Sequence, residues 1–311
     1  MTELSIITIS YNTKEETLDC LKSVYEQTEG VEYEVIVVDN NSEDGSALAI
    51  ASQFPQVKLI ALQENLGFGR ANNLAAQEVS SEFILLLNPD TIVLDGAIQK
   101  LLKFAQEHPE GGIWGGRTLF ADGSLNPYSC WQRMTIWSLF CQAAGLSKIF
   151  SQSSIFNPEV FGGWQRDTVR KVDIVSGGLL LIKRSLWEEL NGFDPEFFMY
   201  GEDDDLSLRA RKIGYQPMIT PDATIIHYGG ASEKVRADKF VKLLRAKVHL
   251  IRRHWPAPLR EIGVFILSFW PLSRMIILNL AASLWQKESL LTKSQEWSSV
   301  WQQRHLWLKG Y

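Results

Sequence analysis

Between residues 4 and 106, short apolar runs alternate with stretches of helical periodicity, and few folds accommodate that pattern. Leu4–Ser10 (LSIITIS), 34–39 (EVIVVD), 57–61 and Phe83–Leu87 (FILLL) are too short for helices and are bounded by turn residues, so they read as strands. Residues 13–25, the small-residue stretch after ENLGFG and residues 95–106 read as helices. Thr13, with Glu16 three positions on, predicts a capping box. Strands each followed by a helix imply an α/β chain: a Rossmann-like, mostly parallel sheet with helices on both faces. Such sheets bind ligands outside the carboxyl ends of their strands. Here those ends carry Tyr11-Asn12, Asp39-Asn40, Asn65 and Asp90, all polar.

Several classes are excluded early. No G-x-G-x-x-G follows the first strand and no Walker A motif occurs, which argues against a dinucleotide dehydrogenase or a P-loop enzyme. Cys20, Cys130 and Cys141 form no C-x-x-C pair, which argues against a disulfide framework or structural zinc. The opening MTELSIITIS has no basic stretch before its short apolar run, so a cytoplasmic protein is expected.

The net charge of −5 conceals an asymmetry. Residues 1–231 hold 17 Lys and Arg against 31 Asp and Glu, and residues 232–311 hold 14 against 5. The second segment also contains six of the eleven tryptophans. A domain boundary is expected at 231/232, with Gly229-Gly230 as its hinge.

Individual residues admit two readings each. Asp39 could hydrogen-bond a ribose or base, or serve the turn NNSEDGS. Asp90 follows Asn88-Pro89 as a hard oxygen donor suited to a divalent metal on a diphosphate, or as a turn residue. Ser176-Gly177-Gly178, between strands at 172–175 and Leu179–Lys183, permits close approach of a ligand or makes a bulge. His227 ends a last strand at 223–228 and is a second candidate metal ligand or a structural histidine. Glu202, Asp203, Asp204 and Asp205 follow Phe197–Tyr200 and Gly201. They suit a helix N-terminus, and a carboxylate crowded by like charge also suits a general base. Asp205 and Arg209 lie four apart and can pair, with Leu206, Leu208 and Ile213 on the buried side.

Taken in order, SYN at 10–12, VVDNNSEDGS at 37–46, ENLGFGRANN at 64–73, LLLNPD at 85–90, GGRTLFADGSLN at 115–126, the long run at 175–215 and IIHYGGAS at 225–232 are recognisable. Over about residues 4–232 the chain resembles the GT-A-fold nucleotide-sugar glycosyltransferases of the large inverting family 2. Within them it is similar to the bacterial rhamnosyltransferase-like branch. The resemblance implies that Tyr11, Asp39, Asn65 and Asn72 line a base and ribose pocket, with Asn12 and Gly67 on the same rim. It places Asp90 at the last acid of the family's D-x-D motif, with Asn88 replacing the first, and His227 at a further metal or diphosphate contact. Magnesium or manganese is the implied metal. Asp203, in the Glu202-Asp203 pair, stands at the catalytic base; Gly177 and Gly178 lie near the transferred sugar; and Phe197–Tyr200 wall the pocket.

The tail is read from its residues. Residues 234–253 form a basic amphipathic helix with Val241, Leu244, Val248 and Ile251 on one side. Residues 262–285 are nearly uncharged, yet contain Pro271 and Arg274. That favours two short helices lying in a membrane interface over one spanning helix. Packing on the catalytic domain, or an oligomer interface, is the competing reading. Nucleic-acid binding is weaker, because the basic residues are interleaved with aliphatics and no such motif appears.

The expectation is therefore a metal-dependent inverting glycosyltransferase, peripheral on the cytoplasmic membrane face. The resemblance favours dTDP-L-rhamnose as donor, with UDP-sugars next, and a polyprenyl-diphosphate-linked glycan as acceptor. The competing class is a non-catalytic module that binds a nucleotide without turnover; Asp90, Asp203 and His227 together argue against it.

Overall fold

The computed structural model describes residues 2–229 and 236–311. The expected boundary at 231/232, Gly230 of the hinge and Lys234 lie outside the described residues. Two compact units form: Met1–Trp131 with Gln165–Ser232, and Gln132–Trp164 with Glu233–Tyr311. The sequence division assigned 132–164 to the first unit, but these residues pack with the C-terminal helices instead.

The first unit contains β1 (Leu4–Ser10), α1 (Lys14–Gln27), β2 (Tyr33–Asp39), α2 (Ser46–Gln53), β3 (Lys58–Ala61), α3 (Phe68–Ala76), β4 (Phe83–Leu87), β5 (Thr91–Val93), α4 (Ala97–Glu107), β6 (Ile113–Leu119) and β7 (Cys130–Trp131). In the second unit lie α5 (Ile136–Ala144) and α6 (Leu146–Ile149). The chain then returns to the first with β8 (Arg170–Lys171), β9 (Ile174–Val175), β10 (Leu179–Lys183), α7 (Arg184–Glu189), α8 (Glu202–Lys212) and β11 (Met218–His227). The second unit is completed by α9 (Arg236–His254), α10 (Ala257–Trp285), α11 (Glu288–Gln302) and α12 (Arg304–Trp307).

The sheet runs β3-β2-β1-β4-β10-β6-β11-β5, with β8 added on β11. Every residue of β1 is buried, which requires cover on both faces. On one face Leu4, Ile6, Val35, Val37 and Leu85 meet Leu18 and Leu21 of α1, Ile50 of α2 and Leu101 of α4. Ile7, Ile36 and Leu86 alternate to the other face, where α3 lies along β1 and β2 with Ala71 and Ala75 fully buried. Half of the sheet, β3-β2-β1-β4, is parallel as expected. The other half is mixed, because β10 inserts antiparallel to both β4 and β6. Period-two patterning marks a strand but not its direction.

The capping box does not form. The Thr13 hydroxyl turns to Ser10 and Thr17 instead, at 3.4 and 3.2 Å. The Lys14 amide is capped by the Asp44 carboxylate at 2.9 Å, which ties α1 to the turn after β2.

The second unit has its own core. Val241, Leu244, Val248 and Ile251 of α9 are buried against Val264 and Leu267 of α10, Trp297 and Val300 of α11, and Trp307. The apolar face of this basic amphipathic helix is therefore interior, and described cations of the helix have protein partners. Lys247 pairs with Glu159 at 2.6 Å, and Arg245 donates to the Gly310 carbonyl at 3.0 Å. Residues 257–285 form one helix rather than two, with Pro271 inside it.

Candidate active site

Strand direction assembles the site. The carboxyl ends of β1, β2 and β4 share one rim of the sheet. Because β10 runs the opposite way, it delivers its preceding loop to that rim: Leu179 pairs with Leu87, and the Asn88 amide donates to the Gly178 carbonyl at 3.1 Å. β11 pairs antiparallel with β5, setting His227 opposite Thr91 and next to Asp90. Residues far apart in the chain thus meet along one edge.

On the β2 side, Asp39 is buried with Oδ2 accepting from the Ser42 amide at 3.1 Å. Its Oδ1 is buried with no hydrogen-bond partner among the described residues. Asn72 is similar: Nδ2 donates to the Phe68 carbonyl at 3.0 Å, while Oδ1 is buried without a partner. Such acceptors are costly to leave unmet. The one on Asp39, at the end of β2, fits a ligand carrying N–H or O–H donors at the rim. Tyr11 is half-buried on the same rim.

Asn12 and Asn65 hold loops. Asn12, at φ 52°, accepts from the Glu43 amide at 2.8 Å and donates its own amide to Ser42 at 3.0 Å. Asn65 Oδ1 accepts from the Gly67 amide at 2.8 Å and from Asn40 Nδ2 at 3.0 Å. Asn40, read in the sequence only as part of a polar strand end, is the hub: it also accepts from the Leu66 amide at 2.9 Å. Its burial depends on the loop 25 residues away, which no local pattern reveals. Gly67 has φ 80°, and a Cβ there would stand 2.3 Å from the Phe198 carbonyl oxygen, so only glycine fits. That carbonyl accepts from the Phe68 amide at 3.1 Å. Asn73 exchanges two bonds with Phe193, at 2.7 and 2.9 Å. Phe193–Tyr200 is thereby laced to α3. Phe198 lies over Gly67, whereas Phe197 is core rather than pocket wall.

Asp90 Oδ1 and His227 Nε2 lie 3.1 Å apart, with Asn88 Nδ2 at 3.3 Å from the same nitrogen. One ring nitrogen cannot donate to Asp90 and accept from Asn88 at once. A cation taking a lone pair from both carboxylate and imidazole removes that conflict, so the donor set fits a divalent metal. Among the described residues no three His, Cys, Asp or Glu side chains converge as a complete cage. Such a metal would depend on substrate oxygens, as magnesium-type sites on phosphates do.

The four acids at the start of α8 have four environments. Glu202 is buried, and its Oε2 has no partner among the described residues. Asp203 Oδ2 accepts from the Gly177 amide at 2.9 Å and Oδ1 from the Asp204 amide at 3.0 Å. Asp204 accepts from Trp131 Nε1 at 2.8 Å. Asp205, fully buried, pairs with Arg209 at 2.6 Å. Arg209 also donates to the carbonyls of Leu190 and Gly192, at 2.6 and 2.8 Å, so its role is structural. Leu206 is buried as expected, but Ile213 is exposed because α8 ends at Lys212. Of the four, Asp203 is joined to the Ser176–Gly178 loop, through the Gly177 amide. Burial raises its pKa, opposed by the N–H groups of Gly177 and Asp204. Like charge, the cause expected from the sequence, acts instead on Glu202: burial first, then the Asp203 charge, pushes Glu202 well above the usual carboxylate range.

Gly177 and Gly178 keep this corner open. A Cβ on Gly177 would stand 3.4 Å from the Phe68 ring, and one on Gly178 3.2 Å from the His227 ring.

A sequence model described as "Glycosyl transferase family 2" matches residues 5–171, more than half of the chain. The chain belongs to glycosyl transferase family 2. A second model, described as "N-terminal domain of galactosyltransferase", matches residues 169–229. This family 2 enzyme is 28% identical over 247 residues to the N-acetylglucosaminyl-diphospho-decaprenol L-rhamnosyltransferase of Mycobacterium tuberculosis, covering 73% of this chain and 78% of that one. It is 30% identical over 171 residues to rhamnosyltransferase WbbL of Escherichia coli K12, covering 52% and 61%. The solved mannosyltransferase PcManGT of Pyrobaculum calidifontis, in complex with GDP-Man and Mn²⁺, superposes with a TM-score of 0.58 at 18% identity, covering 96% of this chain and 84% of that one. That likeness supports the GT-A fold. The protein is a nucleotide-sugar glycosyltransferase of the rhamnosyltransferase-like branch of family 2.

Proposed function

We propose that this family 2 enzyme transfers L-rhamnose from dTDP-L-rhamnose to a hydroxyl of a polyprenyl-diphosphate-linked glycan, with inversion at the anomeric carbon. The observation that carries the chemistry is the Asp203 carboxylate, held by the Gly177 and Asp204 amides and raised in pKa by burial. In this reading the acceptor hydroxyl gives its proton to Asp203. Its oxygen bonds to the anomeric carbon as the bond to the diphosphate oxygen breaks on the opposite face. The nucleoside diphosphate leaves with that electron pair. Proton acceptance and charge relief both develop as the bond breaks, so they stabilise the transition state more than the ground state.

Asp39 Oδ1 and Asn72 Oδ1, buried acceptors without partners, would take donors of the base and ribose. Tyr11 would line that pocket, and Asn12, Asn40, Asn65 and Gly67 would shape its loops. Gly177 and Gly178 would give the sugar room. Asp90 and His227 would hold magnesium or manganese, which when bound offsets charge on the diphosphate. The rhamnosyl donor and the lipid-linked acceptor are supported by the names of the relatives. Such an acceptor sets the enzyme at the cytoplasmic face of the membrane.

Thermal unfolding with dTDP, UDP, GDP and ADP, each with and without Mn²⁺, tests the donor. A ligand that binds only the folded state raises the midpoint. A metal-dependent rise with dTDP supports this reading. A rise with UDP alone discards rhamnose, and no rise with any nucleotide discards turnover.

A further inference from the structure

Within the second unit, α10 turns an uncharged stripe to solvent. Ile262, Phe265, Phe269, Ile276, Leu280 and Leu284 recur at helical spacing and all are exposed, Phe265 by 63% and Leu284 by 74%. At 1.5 Å per residue the stripe runs about 33 Å. Soluble monomers rarely leave an apolar surface of that extent uncovered.

Arg274, the one charge between Ile262 and Trp285, does not interrupt it. Its guanidinium reaches the Gln142 carbonyl at 3.4 Å, and neighbouring Ser273 donates to the Ala143 carbonyl at 3.1 Å. Those carbonyls belong to the C-terminal end of α5, where a cation complements the helix dipole. The charge is thus turned inward. The α5 segment adds a second apolar surface beside α10. Trp137 and Phe140 stack with centroids 5.7 Å apart, and both are exposed, as are Ile149 and Phe150.

We propose that the α10 stripe and the aromatic cluster of α5 and α6 together lie on an anionic lipid bilayer, with α10 parallel to the membrane plane. This deepens the lipid-linked-acceptor reading and rests on it for its purpose. Charge selects the occupant. Residues 132–164 and 233–311 carry 16 Lys and Arg against 6 Asp and Glu. A second copy of so cationic a unit would be repelled, whereas anionic headgroups attract it. Trp285 and Lys287, exposed at the end of the stripe, suit the headgroup layer. A flat orientation follows from the other side of α10. Val264 and Leu267 pack against α9 and α11, so spanning would drag Glu288, Lys293 and Glu296 of α11 into hydrocarbon.

The test is flotation of the full chain with vesicles of phosphatidylcholine alone or mixed with phosphatidylglycerol. Phe265→Glu with Leu280→Glu is the main variant, and Phe140→Glu reports on the α5 surface. All three side chains are exposed, and unchanged melting plus unchanged nucleoside-diphosphate stabilisation verify the fold. The expected result is flotation with phosphatidylglycerol vesicles, weakened at least tenfold by the double variant and several-fold by Phe140→Glu. Unchanged flotation of the folded double variant overturns the proposal. So does a dimer that the double variant dissociates, since a second copy would then cover the stripe. Lost flotation in variants of a protein that transfers to no lipid-linked acceptor keeps the surface and removes the acceptor reading.

Discussion

The Gly177 amide donates to Asp203 Oδ2 at 2.9 Å across 26 residues of sequence, joining the loop before β10 to the first turn of α8. A glycine loop brought in by an antiparallel strand thereby fixes one carboxylate of four. The remaining three have other environments, and each makes a separate prediction.

Glu202 is a buried acid whose charged form is disfavoured. Its folded pKa lies above the unfolded value, so the penalty is full at pH above the folded pKa and vanishes below the ordinary carboxylate range. Glu202→Gln should therefore raise the melting midpoint at neutral pH, and the gain should disappear near pH 4. Melting curves from pH 4 to 8 check this; equal midpoints throughout contradict it.

Asp205 is fully buried and paired with Arg209. Arg209→Ala removes the guanidinium from that buried carboxylate and also frees two carbonyls. Loss of about 3–5 kcal/mol in denaturant unfolding is expected. Arg209→Lys should recover only part, because an ammonium cannot span three acceptors in a fixed fork.

Trp131 binds Asp204 through Nε1. Trp131→Phe keeps an aromatic six-membered ring but loses the pyrrole ring and its donor to a carboxylate, and the lost bond alone should cost about 1.5–3 kcal/mol. Asp204→Asn retains an acceptor oxygen and should cost less. The difference between these two variants in chemical denaturation is the readout, and equal losses rule out the bond as the cause.

The Asp90 and His227 pair should act only with metal present. Asp90→Ala should abolish the extra thermal stabilisation that Mn²⁺ adds to a bound nucleoside diphosphate, and His227→Ala should reduce it. Nucleotide without metal should stabilise both variants as it does the parent. Parental Mn²⁺ dependence in Asp90→Ala contradicts the assignment.

Much of this is legible in the sequence alone. The four strands up to residue 87 and their polar ends follow from short apolar runs bounded by turns, most plainly in β1 and β4, whose residues are all buried. What escaped was set by distance or direction. Trp131 meets Asp204 across 73 residues, and Asn40 meets Asn65 across 25, with no local pattern to announce either. The reversal of β10 is invisible to period-two reading, yet it carries Gly177 to the rim. The α9 stripe was readable as apolar, but not what it faces: α10 and α11 supply a protein core, and the exposed apolar face falls on α10 instead. Arg274 looked like an obstacle in that segment until α5, from a part of the chain assigned elsewhere, provided the Gln142 carbonyl.

The most direct measurement compares Asp203→Asn with the parent protein in transfer from dTDP-L-rhamnose to a polyprenyl-diphosphate-linked acceptor, alongside dTDP binding. Asparagine preserves shape and can still accept from Gly177, but it cannot take the proton. The account predicts a fall in kcat of about 10²–10⁴-fold with nucleotide binding intact. Parental kcat in Asp203→Asn contradicts it.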